Sequence, residues 1–292
     1  MVKKRILLSA GILMIILVAS VTSSVWLPHS PTLIEPDQRL QGLSLQHWFG
    51  TDNFGRDVFA RTIAAAKVSF FIGASVALIA TVMGTLVGLL SGYFKKIDFL
   101  VMRLIDGMMA FPALLLALAL VAAIGGNITN IIIALTFAFF PQMARVIRSA
   151  VLKVKQIQFV EAAKTTGTGS GTILFFYILP NVVSPIIVQG TFTFAKAILA
   201  EAALSFLGLG ISPTIPTWGN MLQEAQNYIT IAPWLCIFPG LAIVTTVLSL
   251  NILGDGLRDA FDPHSRMKRS GAQRLSNKTK RETINSIGGR TV

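Results

Sequence analysis

The chain has 292 residues, of which 53% are hydrophobic and only 13% charged, and its mean hydropathy is +0.68. Water-soluble domains carry about 25% charged residues, so this composition excludes an ordinary soluble enzyme and describes an all-α integral membrane protein. The net charge of +12 does not point to nucleic acid, because most Lys and Arg lie in short loops and a tail beside apolar runs, where they set membrane orientation.

Lys3, Lys4 and Arg5 precede an uncharged run from Ile6 to Leu27. That run can cross a hydrocarbon core of about 30 Å and exceeds the apolar centre of a signal peptide, about 7–15 residues. Residues 1–27 therefore read as a retained first transmembrane helix. Residues 28–67 are polar, and Pro28, Pro31 and Pro36 forbid a continuous helix at their start. Their four basic residues (39, 56, 61, 67) balance four acids (35, 37, 52, 57), which suits an extracytoplasmic segment. Val68 to Tyr93 reads as the second span, and its Gly84-x3-Gly88-x3-Gly92 stripe would let another helix approach closely. Lys95, Lys96 and Arg103 mark the return to the inside, with Asp98 and Asp106 among them.

Gly107 to Ile124 is expected to form the third span, with Pro112 near its start, and Gly125-Gly126-Asn127 a tight outer turn. Ile128 to Met143 is expected as the fourth span. A basic stretch follows, with Arg145, Arg148, Lys153, Lys155 and Lys164. Within it Glu161-Ala162-Ala163-Lys164 favours a helix, which Gly167, Gly169 and Gly171 then end. The sequence predicts a short helix outside the bilayer at about 158–171. Pro180 and Pro185 are expected to separate an interfacial piece from a fifth span at about 182–209, which contains Lys196 and Glu201. Residues 210–232 hold no Lys or Arg and read as an outer segment. Pro233 to Leu253 is the sixth span, with the single cysteine, Cys236, expected to be a buried apolar group. A basic tail, 264–292, closes the chain and is expected to be disordered or to lie on anionic lipid. Apart from Lys196 and the four in the outer segment, every Lys and Arg falls on one side of this six-span arrangement, which puts both termini in the cytoplasm.

No G-x4-G-K-[ST] pattern occurs, so no P-loop ATP site is expected. His29, His47 and His264 are scattered, without metal-ligand spacing, and no metal is expected. No nucleophile-base pairing stands out, so the chain reads as a non-catalytic subunit without a cofactor of its own.

Glu161-Ala162-Ala163, with Gly167 six residues after the glutamate and Leu179-Pro180 beyond, resembles the EAA loop of ABC-importer permeases. Gly50-Thr-Asp52-x2-Gly-Arg56-Asp57 resembles the outer signature of the C-type subunit of dipeptide, oligopeptide and nickel importers. So do Asp98-x4-Arg103-x2-Asp106, the run from Ala200-Glu201 to Gly210, Pro216-x-Trp218-Gly219, and Asn251-x2-Gly254-Asp255 continuing to Asp262-Pro263. The resemblance covers the chain from about residue 26. It implies the type I (MetI-like) permease fold, with 68–263 as its core and the EAA loop as a helix that docks in a groove on an ATPase subunit. It also implies a homologous B-type permease as partner, two ATPase subunits (or one heterodimer) that carry ATP and magnesium, an extracytoplasmic substrate-binding protein, and a di- or oligopeptide substrate, with nickel or a metal chelate as the alternative.

Read physically, Glu161 either caps its helix or meets a basic group on the ATPase. Ala162 and Ala163 allow close packing, and Gly167 lets the chain turn. Lys196 and Glu201 either line the translocation path or lock helices together. Asp52, Arg56 and Asp57 either contact an outer partner or stabilise their own loop. A self-sufficient secondary carrier would need midplane charges and inverted repeats, and only Lys196 and Glu201 offer anything of that kind.

Overall fold

A backbone inside lipid must satisfy its own N–H and C=O groups, so apolar runs of this length fold as helices. The computed structural model describes residues 2–261; the basic tail at 264–292, Asp262-Pro263 and His264 lie outside the described residues. Helix α1 (Val2–Val21) leads into the single turn α2 (Ser23–Trp26). The long helix α3 (Val58–Tyr93) follows an irregular segment, and α4 (Lys95–Met109) and α5 (Ala113–Ile124) follow it. Next come α6 (Ile128–Val154), the short α7 (Gln158–Thr165) and the turn α8 (Ser170–Thr172). A π-helical stretch, Ile173–Ile178, joins α8 to α9 (Leu179–Phe206), and α10 (Trp218–Ala225) and α11 (Trp234–Phe261) complete the bundle. Five of these helical runs are long and apolar enough to cross a membrane, and the bent pair α4–α5 makes a sixth when its two pieces are counted as one span.

Helix ends shift from the expected spans: α1 stops at Val21, while α6 runs on past Met143 to Val154 and α11 past Leu253 to Phe261. Three further differences have a local cause. First, α3 begins ten residues early, at Val58, because Asp57 caps it: its Oδ1 accepts the Ala60 N–H at 2.7 Å. A side-chain acceptor at this position satisfies one of the orphan donors of the first turn. Second, the third span is not straight. Gly107 belongs to α4, and α5 turns away from α4 by 87°, because Pro112 has no N–H to continue the ladder and leaves the helix with an extended backbone, φ −56° and ψ 131°. At about 1.5 Å per residue, the 12 residues of α5 rise only about 18 Å, short of a full crossing. Third, Pro180 and Pro185 interrupt nothing: residues 170–206 form one helical run. The π-helical turn just before Pro180 widens the ladder where the ring would strike the carbonyl one turn back.

Three apolar clusters hold the bundle. One joins α1, α3, α9, α10 and α11; a second joins α3, α5, α6 and α9; a third lies under α7, between α6 and the start of the α9 run. The glycine stripe on α3 packs against α6. A Cβ at Gly88 would lie 2.7 Å from the Ala144 carbonyl oxygen, and one at Gly84 would lie 2.5 Å from Met143 Cβ. These are backbone and near-backbone contacts that cannot rotate away. Gly88→Leu is therefore expected to force α3 and α6 apart, at a cost of at least ~1–3 kcal/mol. It should lower the melting temperature of the detergent-solubilised protein, whereas Gly107→Ala, with nothing within 4 Å of its Cβ, should not. Cys236 is half-buried against the first cluster rather than fully enclosed.

Candidate functional site

The α7 end of the bundle is built as a supported knob. Val160 and Ala163 point inward and are buried with Val151, Val154, Ile173, Leu174 and Ile178. Glu161, Ala162, Lys164 and Thr165 face outward, flanked by the exposed Ile157 and Phe159. Glu161 sits in the first turn of α7 but caps nothing; it is exposed and forms no ion pair or hydrogen bond with the described residues. Of its two sequence readings, capping is the one this geometry does not provide. Gly167 has φ +79°, a left-handed conformation that glycine adopts without steric cost. The N–H of Thr168 reaches the Ala163 carbonyl and that of Gly167 the Lys164 carbonyl, both at 3.1 Å. This pair of bonds is a Schellman motif, which closes the helix and turns the chain toward α8.

The base of the knob is tied down by charge. Lys155 donates to the carbonyls of Gly92 and Tyr93, and burial pushes its ammonium below the ordinary lysine value, with Lys164 and Lys95 adding to the effect. Arg148 forks onto Asp98, with Nη2 to Oδ2 at 2.7 Å, and Arg145 meets Asp106, so α4 is fastened to α6. Arg103 instead lies over the Phe99 ring, 4.7 Å from its centroid. Leu179 is half-buried and Pro180 exposed, both on the run that leads up from the knob.

Glu201 is fully buried, and the structure does not pair it with Lys196. Its carboxylate accepts from Ser205 at 2.9 Å and from Ser69 at 3.4 Å, with the Thr217 hydroxyl also beside it. These partners belong to α9, α3 and the start of α10, so the carboxylate sits where three helices meet. Lys196 is exposed on α9 and donates to Gln142 on α6 at 3.0 Å.

At the opposite end, the structure turns Asp52, Arg56 and Asp57 inward, at 4%, 8% and 4% exposure. Their bonds run within this segment and to α10. Arg56 bonds Asp52 at 2.6 Å and Glu224 at 2.7 Å, and Arg61 bonds Glu224 at 3.1 Å and lies 3.5 Å from Asp52. Burial holds the Glu224 carboxyl above the usual carboxylate range, while Arg61 and Arg56 draw it back. Sequence reasoning missed Glu224 and Arg61. The one available signal was an acid in a segment with no Lys or Arg to balance it. Trp218 of the Pro216-x-Trp218-Gly219 motif is buried and donates to the Thr62 carbonyl at 2.9 Å, so that motif clamps α10 onto α3. His29 and His47, read as scattered, are brought together beside Asp57, their ring centroids 4.8 Å apart.

A groove of about 890 Å³ runs between α1, α3, α9 and α11 and is almost wholly apolar. It lacks the convergent polar groups of a substrate pocket.

Comparison with known proteins matches residues 80–267 to the family described as binding-protein-dependent transport system inner membrane component. The chain is 44% identical over 259 residues to a dipeptide transport system permease protein of Alkalihalophilus pseudofirmus, covering 88% of this chain and 84% of the relative. It is 43% identical over 264 residues to a glutathione transport system permease protein of Escherichia coli, covering 89% and 87%.

Proposed function

We infer the function from one premise: this chain belongs to the binding-protein-dependent transport system inner membrane components and is a permease subunit of an ABC importer. Such a subunit is a non-catalytic, multi-pass membrane pore component that works with an ATPase and a substrate-binding protein. From here we propose that α7 is the coupling helix. It docks in a groove of the ATPase, with Glu161, Ala162 and Lys164 in contact, and Gly167, Leu179 and Pro180 setting the pose in which it is presented. The observation that carries this reading is the knob itself. An exposed Glu161, unpaired among the described residues, and a small Ala162 stand on a buried, ion-paired base, so a push on α7 is passed to α6 and α9 instead of being absorbed by a loose loop.

In this arrangement the α7 end, where the basic residues gather, faces the cytoplasm of a bacterial or archaeal cell, and both termini lie there. The chain forms half of the pore with a homologous B-type permease, above two ATPase subunits that carry ATP and magnesium. ATP binding opens the pore outward to the extracytoplasmic binding protein, and hydrolysis resets it. Lys196 and Gln142 mark the face of α9 and α6 that borders the translocation path, since an exposed charge within an apolar span needs water or a partner beside it.

The substrate proposed is a di- or oligopeptide, supported by relatives named for dipeptide and for glutathione, itself a small peptide. The test is ATP-driven uptake by the complete complex in proteoliposomes. Accumulation of a labelled dipeptide that unlabelled dipeptide suppresses and nickel salts do not is the expected result. Uptake of nickel without uptake of peptide would overturn the substrate, and uptake of either without ATP would overturn the coupling.

A further inference from the structure

We propose that His29, His47 and Asp57 form a binding site for one divalent cation of the zinc class, which clips the segment before α3 to the first turn of that helix. The three side chains offer one donor atom each, all within 4.8 Å of one another. His47 Nδ1 lies 2.8 Å and His29 Nδ1 3.9 Å from the same carboxylate oxygen, Asp57 Oδ2. A tetrahedral zinc with bonds of about 2.0–2.2 Å places its ligand atoms roughly 3.3–3.5 Å apart. These two separations reach metal geometry by shifts of about half an ångström, and the two histidine nitrogens, within 4.8 Å of each other, reach it by a turn of the partly exposed His29 ring.

Three features point to a cation and not to a plain hydrogen-bonded cluster. First, His29 Nδ1 is a buried polar atom with no hydrogen-bond partner, although its ring is about one-third exposed. A buried nitrogen left unpaired is costly, and a metal bond would satisfy it. Second, the nitrogens of His47 face two acceptors. Nε2 meets Gln38 Oε1 at 2.5 Å and Nδ1 meets Asp57 Oδ2 at 2.8 Å. A neutral imidazole carries a single N–H. With that proton on Nε2 toward Gln38, Nδ1 turns a bare lone pair toward a carboxylate, and a cation held between the two removes the repulsion. The Gln38 contact is the outer partner that a ligating histidine usually has. Third, Asp57 has no arginine or lysine among the described residues. Arg56 and Arg61 are committed to Asp52 and Glu224, and the other Asp57 oxygen is held by the Ala60 N–H. The carboxylate is thus fixed in orientation, with Oδ2 turned toward the two histidines.

Two imidazoles and a carboxylate suit zinc, cobalt, nickel or copper, and not calcium or magnesium, which take oxygen ligands. The partly exposed side of His29 leaves a fourth position for water or for a donor from a partner.

The test uses the tag-free full chain in detergent, stripped with chelator and titrated with Zn²⁺ by calorimetry and with Co²⁺ by visible absorption. One equivalent is expected to bind saturably, and the Co²⁺ complex should show the intense bands of four-coordinate cobalt. His29→Ala and Gln38→Leu should each weaken Zn²⁺ binding by at least ~10-fold, while His264→Gln, which changes the chain's one other histidine, leaves it unchanged. Circular dichroism confirms that the variants remain helical. Absence of saturable binding in the unaltered chain, His29→Ala binding as tightly as the unaltered chain, or loss of binding in His264→Gln would each overturn the site.

Discussion

Glu161→Lys and Gly167→Val are expected to abolish ATP-driven uptake while leaving membrane insertion intact. The two act on different links of the same device. Glu161 is exposed, with no partner among the described residues, so reversing its charge costs the fold almost nothing and acts on what α7 presents to its neighbour. Gly167 sits at φ +79° with open space around its missing Cβ. A β-branched residue there clashes with nothing nearby but must leave the left-handed region or bear about 1–2 kcal/mol of strain. Leaving it breaks the two bonds of Thr168 and Gly167 that close α7, and the knob tilts. Gly167→Asn, which tolerates that conformation, should retain most of the uptake. The measurements are uptake in proteoliposomes, ATPase activity stimulated by the loaded binding protein, and the amount of variant in washed membranes. Normal uptake in both variants would remove α7 from the mechanism.

The largest stability loss is expected at the other end. Glu224→Ala removes one carboxylate from a buried quartet in which Arg56 and Arg61 are balanced by Asp52 and Glu224. Two guanidiniums are then left with a single carboxylate at low exposure. Breaking a buried pair in this way typically costs about 3–5 kcal/mol. The variant should show a marked fall in melting temperature and in yield from detergent. Glu224→Gln, which keeps an acceptor oxygen for Arg56, should lose less. Equal melting behaviour of Glu224→Ala and the unaltered protein would show that the quartet contributes no net stability.

How much could be read from the sequence follows the range of the forces involved. The knob was legible because its determinants are local: helix formers at 161–164 and a glycine three positions beyond. The glycine stripe on α3 was legible for the same reason, since spacing along one helix fixes a face, and α6 lies on it. The spans followed from hydropathy, which is a sum over neighbours. The 87° bend between α4 and α5 was missed because Ala110-Phe111-Pro112 reads as apolar, and hydropathy does not register the extended backbone at Pro112. The start of α3 was missed because a polar stretch containing Arg61 and Lys67 reads as loop, yet Asp57 caps a helix there. Glu224 stands 168 positions from Arg56, and no spacing rule joins residues so far apart. His29 and His47 share no regular interval either, and only the folded segment brings both to Asp57. The run from Ala200 to Gly210 and the Trp218 motif carried the family resemblance while serving the packing: Gly210 lies against Ser205, Gly219 against Ala202 and Ser205, and Glu201 is held by hydroxyls.

The most direct measurement is photocrosslinking from the face of α7. The chain's single native cysteine is replaced by Cys236→Ser, Ala162→Cys is introduced, and a thiol-linked photoreactive group is attached in the assembled complex. If α7 docks on the ATPase, illumination yields an adduct of this subunit with the ATPase. An assembled, transport-active complex that gives no such adduct, or a residue-162 thiol that an impermeant reagent labels from the extracytoplasmic side, would contradict it.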